Sequence, residues 1–289
     1  MRLRSWQADG ILLLVAISWG VTFALVQDAI EEIPVYTFLF WRFGFAFLLM
    51  AVVSWKHWHR LNAPTLYASI LLGLLNFSAF AFQTYGLTRT LSSTVAFITG
   101  LNVIFIPFLA RVLFRRSVSR YAVVGALVAV VGLWLLTGQS RLGMGVGELY
   151  TLVCAVLFSL HILFTDRFVQ HYDVILLVTI QFGVIALASL MTGIFMDGTI
   201  MPSSYHNSFL VALVATVLFA TVFAFWAQTS MQRYTTPAKT ALIFTMEPLS
   251  AALFGYLYAG EILTPLQILG GGLMIVGVLI AELMTLKRA

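Results

Sequence analysis

The stretch Lys239-Thr-Ala-Leu-Ile-Phe-Thr-Met-Glu-Pro-Leu-Ser250 places one carboxylate, Glu247, in the middle of an apolar run and follows it directly with Pro248. The same register recurs 145 positions earlier, where Asn102 stands in the place of Glu247. Identical residues at this offset are Thr90, Ala96, Ile98, Gly125, Val131 and Gly132, paired with Thr235, Ala241, Ile243, Gly270, Val276 and Gly277, and further upstream Ala79, Phe80 and Gln83, paired with Ala224, Phe225 and Gln228. We interpret the chain as two copies of one unit.

The duplication extends to the start of each unit at a second offset of 139 positions. The identical residues there are Leu13, Ala16, Phe43, Gly44 and Leu48, paired with Leu152, Ala155, Phe182, Gly183 and Leu187. We therefore divide the chain into a first repeat, residues 1–140, and a second repeat, residues 141–289.

The composition excludes a soluble protein, because 61% of the residues are hydrophobic, only 9% are charged and the mean hydropathy is +0.99. The formal net charge of +5 does not indicate nucleic-acid binding, since the basic residues form short clusters between apolar stretches. The single cysteine, Cys154, lies within an apolar segment, so neither a disulfide framework nor a cysteine metal site is predicted. No motif calls for a cofactor or a metal.

Apolar segments of about 20 residues, the length that crosses a bilayer as a helix, can be placed ten times along the chain. Their predicted bounds are Ala8–Asp28, Pro34–Trp55, Leu66–Leu87, Leu91–Leu113, Tyr121–Gly138, Gly147–Arg167, Val174–Ile194, Phe209–Gln232, Pro237–Tyr258 and Pro265–Thr285. The first segment has no small-residue cleavage pattern, so we interpret it as a retained span and not as a signal peptide. The sequence predicts an all-α integral membrane protein with ten transmembrane helices.

Each repeat holds five of these spans. Because five is odd, the second repeat must enter the membrane in the opposite orientation to the first, which predicts two inverted-topology five-helix repeats. This architecture is typical of secondary transporters, which bind their substrate near the middle of the membrane between the two halves.

The basic residues predict the orientation, since lysine and arginine concentrate in cytoplasmic loops. With the N-terminus inside, the cytoplasmic loops and ends hold Arg2, Arg4, Lys56, Arg60, Arg111, Arg115, Arg116, Arg120, Arg167, Arg233, Lys239, Lys287 and Arg288. Only Arg89 and Arg141 fall outside, and Arg42 lies within a span. Both termini are therefore predicted to be cytoplasmic.

Several short motifs add a family resemblance to this architecture. They are Ser18-Trp-Gly20, Phe40-Trp-Arg-Phe43, Met246-Glu-Pro-Leu249, Ala259-Gly-Glu261 and the glycine-dense run Gly270 to Gly277. In this order and with the five-plus-five arrangement, the chain resembles the EamA family of the drug/metabolite transporter superfamily over nearly its whole length.

The resemblance implies a multi-pass protein of the bacterial or archaeal cytoplasmic membrane. It implies a bundle in which spans one to four and six to nine line a central cavity, while spans five and ten pack at the periphery. It also implies transport, commonly the export of amino acids or other small metabolites, so that the expected partners are the lipid bilayer and a small-molecule substrate.

Polar side chains inside the spans are the candidate functional residues, because a charge at a helix centre costs about 2.5 to 3.5 kcal/mol on insertion scales and needs a partner or a water-filled path. Repeat symmetry places several of them at equivalent positions: Arg42 with Gln181, Gln83 with Gln228, Asn102 with Glu247, and Thr22 with His161. A cavity between the halves predicts such pairing. The predicted substrate pathway comprises Trp19, Thr22, Arg42, Asn76, Phe80, Gln83, Asn102, His161, Gln181, Gln228 and Glu247.

Glu247 follows Pro237 by ten residues, which is about 15 Å along a helix and close to the middle of the membrane. Pro248 cannot donate a backbone hydrogen bond, so it should free the carbonyl of Phe244 and kink the span. Two roles are open for Glu247: proton exchange during transport, or a structural ion pair or hydrogen bond.

Arg42 lies about 12 Å deep in the second span. It could bind a substrate carboxylate or pair with Glu247, or it could extend outward to Glu31 or Glu32. Each of these roles is compatible with the sequence.

The third span carries a polar stripe, since Asn76 and Gln83 are two helical turns apart with Phe80 between them. The stripe either lines the cavity or joins helices by hydrogen bonds. His161 is titratable near neutral pH, although a lone histidine in a span is more often a packing residue. Trp19 would add an aromatic wall.

Gly125 and Gly132, repeated as Gly270 and Gly277, give spans five and ten a small-residue face. Close packing within one chain is the first interpretation, and a homodimer contact is the alternative, so both a monomer and a homodimer are open.

Among functional classes, an enzyme would need a nucleophile with a base, paired acids or metal ligands at one depth, and a channel would need a ring of repeated charges. The sequence offers neither. A flippase for lipids or lipid-linked metabolites and an uptake permease remain alternatives to export.

The turn at Gly260-Glu261, at the end of a span, is expected to be solvated.

Overall fold

The computed structural model describes residues 5–137, 144–202, 205–231 and 243–286, and these residues form helices without any strand. The main helices are α1 Ser5–Ala29, α2 Val35–Val53, α3 Ala63–Leu87, α4 Ser92–Phe114, α5 Arg120–Thr137, α6 Val146–Phe168, α7 Val174–Met196, α8 Asn207–Met231, α9 Met246–Ala259 and α10 Pro265–Leu286. A short 3₁₀ helix, Trp58–Arg60, follows α2.

The all-helical membrane fold is confirmed, and these helices correspond to the ten predicted spans. Eight of them, α1 to α8, are long and apolar enough to cross a bilayer, and α10 has a shorter apolar part, Pro265–Ala281. The predicted start of the ninth span, Pro237, lies outside the described residues. So do several basic residues used for the orientation, namely Arg2, Arg4, Arg141, Arg233, Lys239, Lys287 and Arg288.

The two halves of the chain pack against each other through several pairs of helices. Helix α2 lies against α7, α5 against α10, α3 against α6 and α7, and α1 against α8 and α9. Phe38 and Phe43 of α2 and Phe182 of α7 are completely buried in one apolar cluster at the α2–α7 contact. This core holds α2 and α7 in place beside the cavity described below.

Helices α5 and α10 cross at the four glycines that the sequence singled out for packing. A Cβ atom added to Gly125 would lie 2.4 Å from the backbone oxygen of Gly277, and one added to Gly132 would lie 2.6 Å from that of Gly270. Because the first glycine of one helix meets the last of the other, the two helices run antiparallel. The glycine faces are therefore occupied by each other within one chain.

Glu261, in the connection between α9 and α10, caps the N-terminus of α4. The preceding Leu91 has no capping side chain, and the N–H groups of Ser92 and Ser93 donate to the carboxylate of Glu261 at 2.8 and 3.2 Å. Glu261 is only 8% exposed, so the expectation of a solvated turn at this residue is wrong. Its negative charge satisfies backbone donors at the positive end of a helix dipole, which sequence spacing alone did not reveal.

The glycine crossing yields a matched pair of variants. Gly270→Ala should lower the free energy of unfolding by about 1 to 3 kcal/mol, because the new methyl group meets backbone atoms that cannot move aside. Gly272→Ala, on the same helix, has nothing within 4 Å of the added Cβ and should leave stability unchanged or slightly higher. Thermal unfolding of both variants in detergent checks this, and equal unfolding temperatures would contradict the crossing.

Candidate functional site

A cavity of about 110 Å³ lies among α1, α2, α3, α4, α6, α8, α9 and α10. A water molecule needs roughly 10 to 15 Å³ of such space, so the cavity can hold several waters or part of a small solute. All residues of the predicted pathway except Gln181 line it: Trp19, Thr22, Arg42, Asn76, Phe80, Gln83, Asn102, His161, Gln228 and Glu247.

The wall of the cavity differs in two respects from what the family resemblance implied. No described residue of α7 lines it, so the expectation that the seventh span contributes to the wall is wrong, and α10 does contribute. Met274, Ile275 and Val278 of α10 line the cavity, whereas no described residue of α5 does. The expectation that the tenth span packs only at the periphery is therefore wrong. Gly271 is the physical reason, since a Cβ there would touch the ring of Phe97 at 2.7 Å, and this close approach to α4 brings the next turn of α10 to the cavity.

Gln181 lies behind the wall and organises two residues that line it. Its Oε1 accepts a hydrogen bond from Asn76 Nδ2 at 3.1 Å and lies 3.0 Å from His161 Nε2. His161 is buried, and Thr165 Oγ1 is 3.4 Å from the same ring nitrogen. This network fixes the side chains of α3, α6 and α7 relative to one another.

Arg42 is 5% exposed and its Nε donates to Thr221 Oγ1 at 2.9 Å. Its guanidinium lies 5.0 Å from the centre of the Phe43 ring and 4.8 Å from that of Phe80. None of the ion pairs found among the described residues includes Arg42 or Glu247. Neither a pair with Glu247 nor an outward contact with Glu31 or Glu32 is present.

Thr221, the partner of Arg42, was missed in the sequence. It lies in a π-helical segment of α8, Thr216–Phe223, whose wider turns leave carbonyl groups without their usual partners. Within this segment, Ala220 O accepts a hydrogen bond from Trp19 Nε1 at 3.0 Å. The signal available was symmetry, because Thr221 is the equivalent of Asn76 at the offset of 145.

Six aromatic rings beside the cavity form one cluster. Phe43 and Phe80 have centroids 4.9 Å apart, and their equivalents Phe182 and Phe225 are 5.5 Å apart. The remaining close pairs are Phe43–Phe182 at 5.8 Å, Phe80–Phe225 at 6.3 Å, Phe80–Phe158 at 5.1 Å and Trp19–Phe225 at 6.2 Å. The cluster gives one side of the cavity an apolar, polarisable wall.

The helical backbone is interrupted inside α4 and directly before α9, at the places where these helices meet the cavity. Gly100 and Leu101 separate two helical segments of α4, and Thr245, the equivalent of Gly100, precedes α9. Thr245 directly follows Phe244, whose carbonyl Pro248 was predicted to free. Interrupted helices expose backbone groups at the depth where transporters bind solutes.

The other predicted residues have weaker contacts. Gln83 Nε2 lies 3.3 Å from Thr99 Oγ1, and the backbone oxygen of Asn102 accepts a hydrogen bond from Ser159 Oγ at 2.8 Å. The carboxyl group of Glu247 has no hydrogen-bond partner among the described residues.

No group of three or more His, Cys, Asp or Glu that could hold a metal occurs in the described part of the chain.

Ion pairs join the two halves at opposite ends of the bundle. At one end Asp173 Oδ2 lies 2.8 Å from His57 Nδ1 and 3.1 Å from Arg60 Nη1. Partial burial alone would raise the pKa of Asp173, but the hydrogen bond with His57, assisted by Arg60, holds the pKa below its usual value. At the other end Glu32 pairs with His206.

The chain is similar to known transporters. A model of the EamA-like transporter family matches residues 6–138 and 145–283. An uncharacterized transporter of Archaeoglobus fulgidus is 29% identical over 96% of this chain and 86% of the relative, and the uncharacterized transporter YyaM of Bacillus subtilis is 24% identical over 94% and 92%. A protein crystal structure at 20% identity has the same fold, with a TM-score of 0.72 and 99% of both chains covered.

The cavity wall predicts which positions reach water. In a Cys154→Ala background, cysteines placed at Gln83 and Gln228 should react with a small aqueous thiol reagent, because both side chains face the cavity. A cysteine at Ala129, which is 1% exposed between α5 and α10, serves as the protected control. Mass spectrometry of membranes treated with the reagent gives the readout, and protection of both cavity positions in every condition would contradict an aqueous pathway.

Proposed function

Because the chain belongs to the EamA-like transporter family, we propose that this multi-pass membrane protein is a secondary transporter that exports small metabolites, such as amino acids, from a bacterial or archaeal cell. The observation that carries the proposal is a cavity between the two halves of the chain that is lined by polar residues from equivalent positions. The protein would bind its substrate there and open the cavity to each side of the cytoplasmic membrane in turn.

The proposal takes residues 1–140 and 141–289 as inverted repeats. Paired contacts support this arrangement. Arg42 donates a hydrogen bond to Thr221, and Asn76 donates one to Gln181. Gln181 is the repeat counterpart of Arg42, and Thr221 is that of Asn76. A two-fold rotation that exchanges the halves would exchange these two contacts.

The glycine crossing of α5 and α10 supports the same operation. Gly125 against Gly277 becomes Gly270 against Gly132 when the halves are exchanged, and both contacts occur. Since the crossing is formed within one chain, these glycine faces need no second copy of the chain. The proposal keeps both termini on the cytoplasmic side, as the distribution of lysine and arginine indicates.

The ion pairs at the two ends of the bundle could hold the cavity closed to either side of the membrane; we call them the end closures. The pair of Asp173 with His57 and Arg60 joins loops of different halves at one end, and that of Glu32 with His206 does so at the other. Alternating access would break one set while the other is kept.

Counterflow in proteoliposomes tests the proposed function. Vesicles loaded with a mixed pool of amino acids and small metabolites should release one solute class faster than protein-free vesicles, as measured by mass spectrometry at two pH gradients. Release of no soluble compound would contradict solute export, and movement of labelled lipids instead would establish the flippase alternative. Preferential inward movement driven by a physiological gradient would establish uptake.

Glu247 is the proposed proton-coupling residue, because its carboxyl group lines the cavity and has no partner in the described part of the chain. Glu247→Gln should abolish the dependence of transport on the pH gradient and reduce gradient-driven flux to the level seen without a gradient. Glu31→Gln, which changes an exposed carboxyl group in a loop, is the matched control and should keep the wild-type pH profile. An unchanged pH profile in Glu247→Gln would exclude the proton role.

A further inference from the structure

We propose that Arg42 binds a carboxylate of the transported molecule, whose small apolar body rests against the aromatic cluster. The inference rests on the transport function proposed above and assigns a substrate class to it: small organic molecules with a single carboxylate. Four features of the cavity carry it.

The first feature is the unused donor capacity of Arg42. A guanidinium has five N–H donors and stays charged in proteins. Among the described residues, Thr221 is the one hydrogen-bond partner of Arg42 and uses only its Nε–H, although the side chain is 5% exposed and lines the cavity. A buried charge without a counter-charge is costly, and no described carboxylate pairs with this one. A ligand carboxylate supplies the charge that the protein does not.

The second feature is the contrast with the equivalent position. Gln181 takes the place of Arg42 in the second repeat, and its Oε1 is occupied by Asn76 and His161. The protein thus fills that position with a neutral side chain held by its own residues. Arg42, the cationic counterpart, stays on the cavity wall. This difference between the two positions favours an anion on the Arg42 side of the cavity.

The third feature is the fixed orientation of the guanidinium. Thr221 holds Nε from the π-helical segment, and the rings of Phe43 and Phe80 lie 5.0 and 4.8 Å from the guanidinium carbon. These contacts restrain the guanidinium plane while the two terminal nitrogens remain unpaired. Restrained in this way, the group suits bidentate binding of a carboxylate.

The fourth feature limits the rest of the ligand. Much of the remaining wall is apolar, with Phe97, Leu101, Met274, Ile275 and Val278 among the lining residues. Glu247 lines the same small cavity, so a second anionic group on the ligand would have a carboxyl group and not a second cation beside it. A single carboxylate on an apolar body fits these conditions better than a phosphate or a dicarboxylate.

Binding to the full chain in lipid nanodiscs tests the inference with three probes that share one body: 3-phenylpropionate, 3-phenylpropionamide and 2-phenylethylamine. Isothermal titration calorimetry, with empty nanodiscs as blank, gives the dissociation constants. The acid should bind at least about tenfold tighter than the amide or the amine, the ratio expected for a charge-assisted hydrogen bond. Arg42→Gln should reduce the ratio of acid to amide to within about twofold, and Arg42→Lys should keep part of it.

Arg120→Gln is the control, because Arg120 also lies over an aromatic ring, that of Tyr121, but on an exposed surface. It should keep the preference for the acid. If Arg42→Gln does not fold, Thr221→Val decides, since it retains the charge and releases its orientation; the acid should then bind several-fold more weakly and the amide unchanged.

Equal binding of acid and amide by the wild type, binding of no probe, or a preference that survives the loss of Arg42 would each overturn the inference. Its failure is distinguishable from that of the proposed function. Counterflow of neutral solutes without a preference for acids removes the anion site alone, whereas a preference for acids without flux of any solute removes transport and leaves a binding site.

Discussion

Hydrocarbon offers no hydrogen bonds, so a polar side chain in the middle of this bundle needs a partner in its own helix, in another helix or in the cavity. The indole of Trp19 reaches the carbonyl of Ala220, Arg42 reaches Thr221, and Asn76 reaches Gln181. Each of these bonds joins the first half of the chain to the second. Together with the glycine crossing of α5 and α10, they determine how the halves can pack, and the cavity is the space that remains between them.

Repeat symmetry explained more of the site than residue chemistry did. Three matched pairs line the cavity, namely Thr22 with His161, Gln83 with Gln228 and Asn102 with Glu247, as the proposed two-fold arrangement requires. Gln83 and Gln228 could be found in this way from the sequence, and so could Asn102 and Glu247. The sequence matched Gln181 with Arg42, but the position of Gln181 behind the wall depends on hydrogen bonds with α3 and α6 that no spacing rule contains.

Three features could not be predicted because they depend on contacts between helices distant in the sequence. The role of Glu261 depends on the position of the first turn of α4, whose N–H groups lie beside its carboxylate. The cavity face of α10 depends on Gly271 approaching Phe97. The π-helical segment of α8 has no clear composition signal, and its effect, a threonine turned toward Arg42 and a carbonyl offered to Trp19, became visible only once α1 and α2 were placed against it.

The two end closures bear on what could drive a change of access. Glu32 and His206 are both about half exposed, with side-chain exposures of 50% and 57%, and exposed pairs contribute about 0 to 1 kcal/mol. Asp173 is less exposed at 14%, so its end is held more firmly, but His57 is charged only when protonated. Contacts of this size can be broken without unfolding the bundle. A ligand shifts an equilibrium only by its difference in affinity for the two states, and the groups with the largest uncompensated interactions, Arg42 and Glu247, lie in the cavity. In the proposed alternating-access cycle, the choice between the two openings would therefore depend on what those two side chains bind, with the end closures adding a smaller bias.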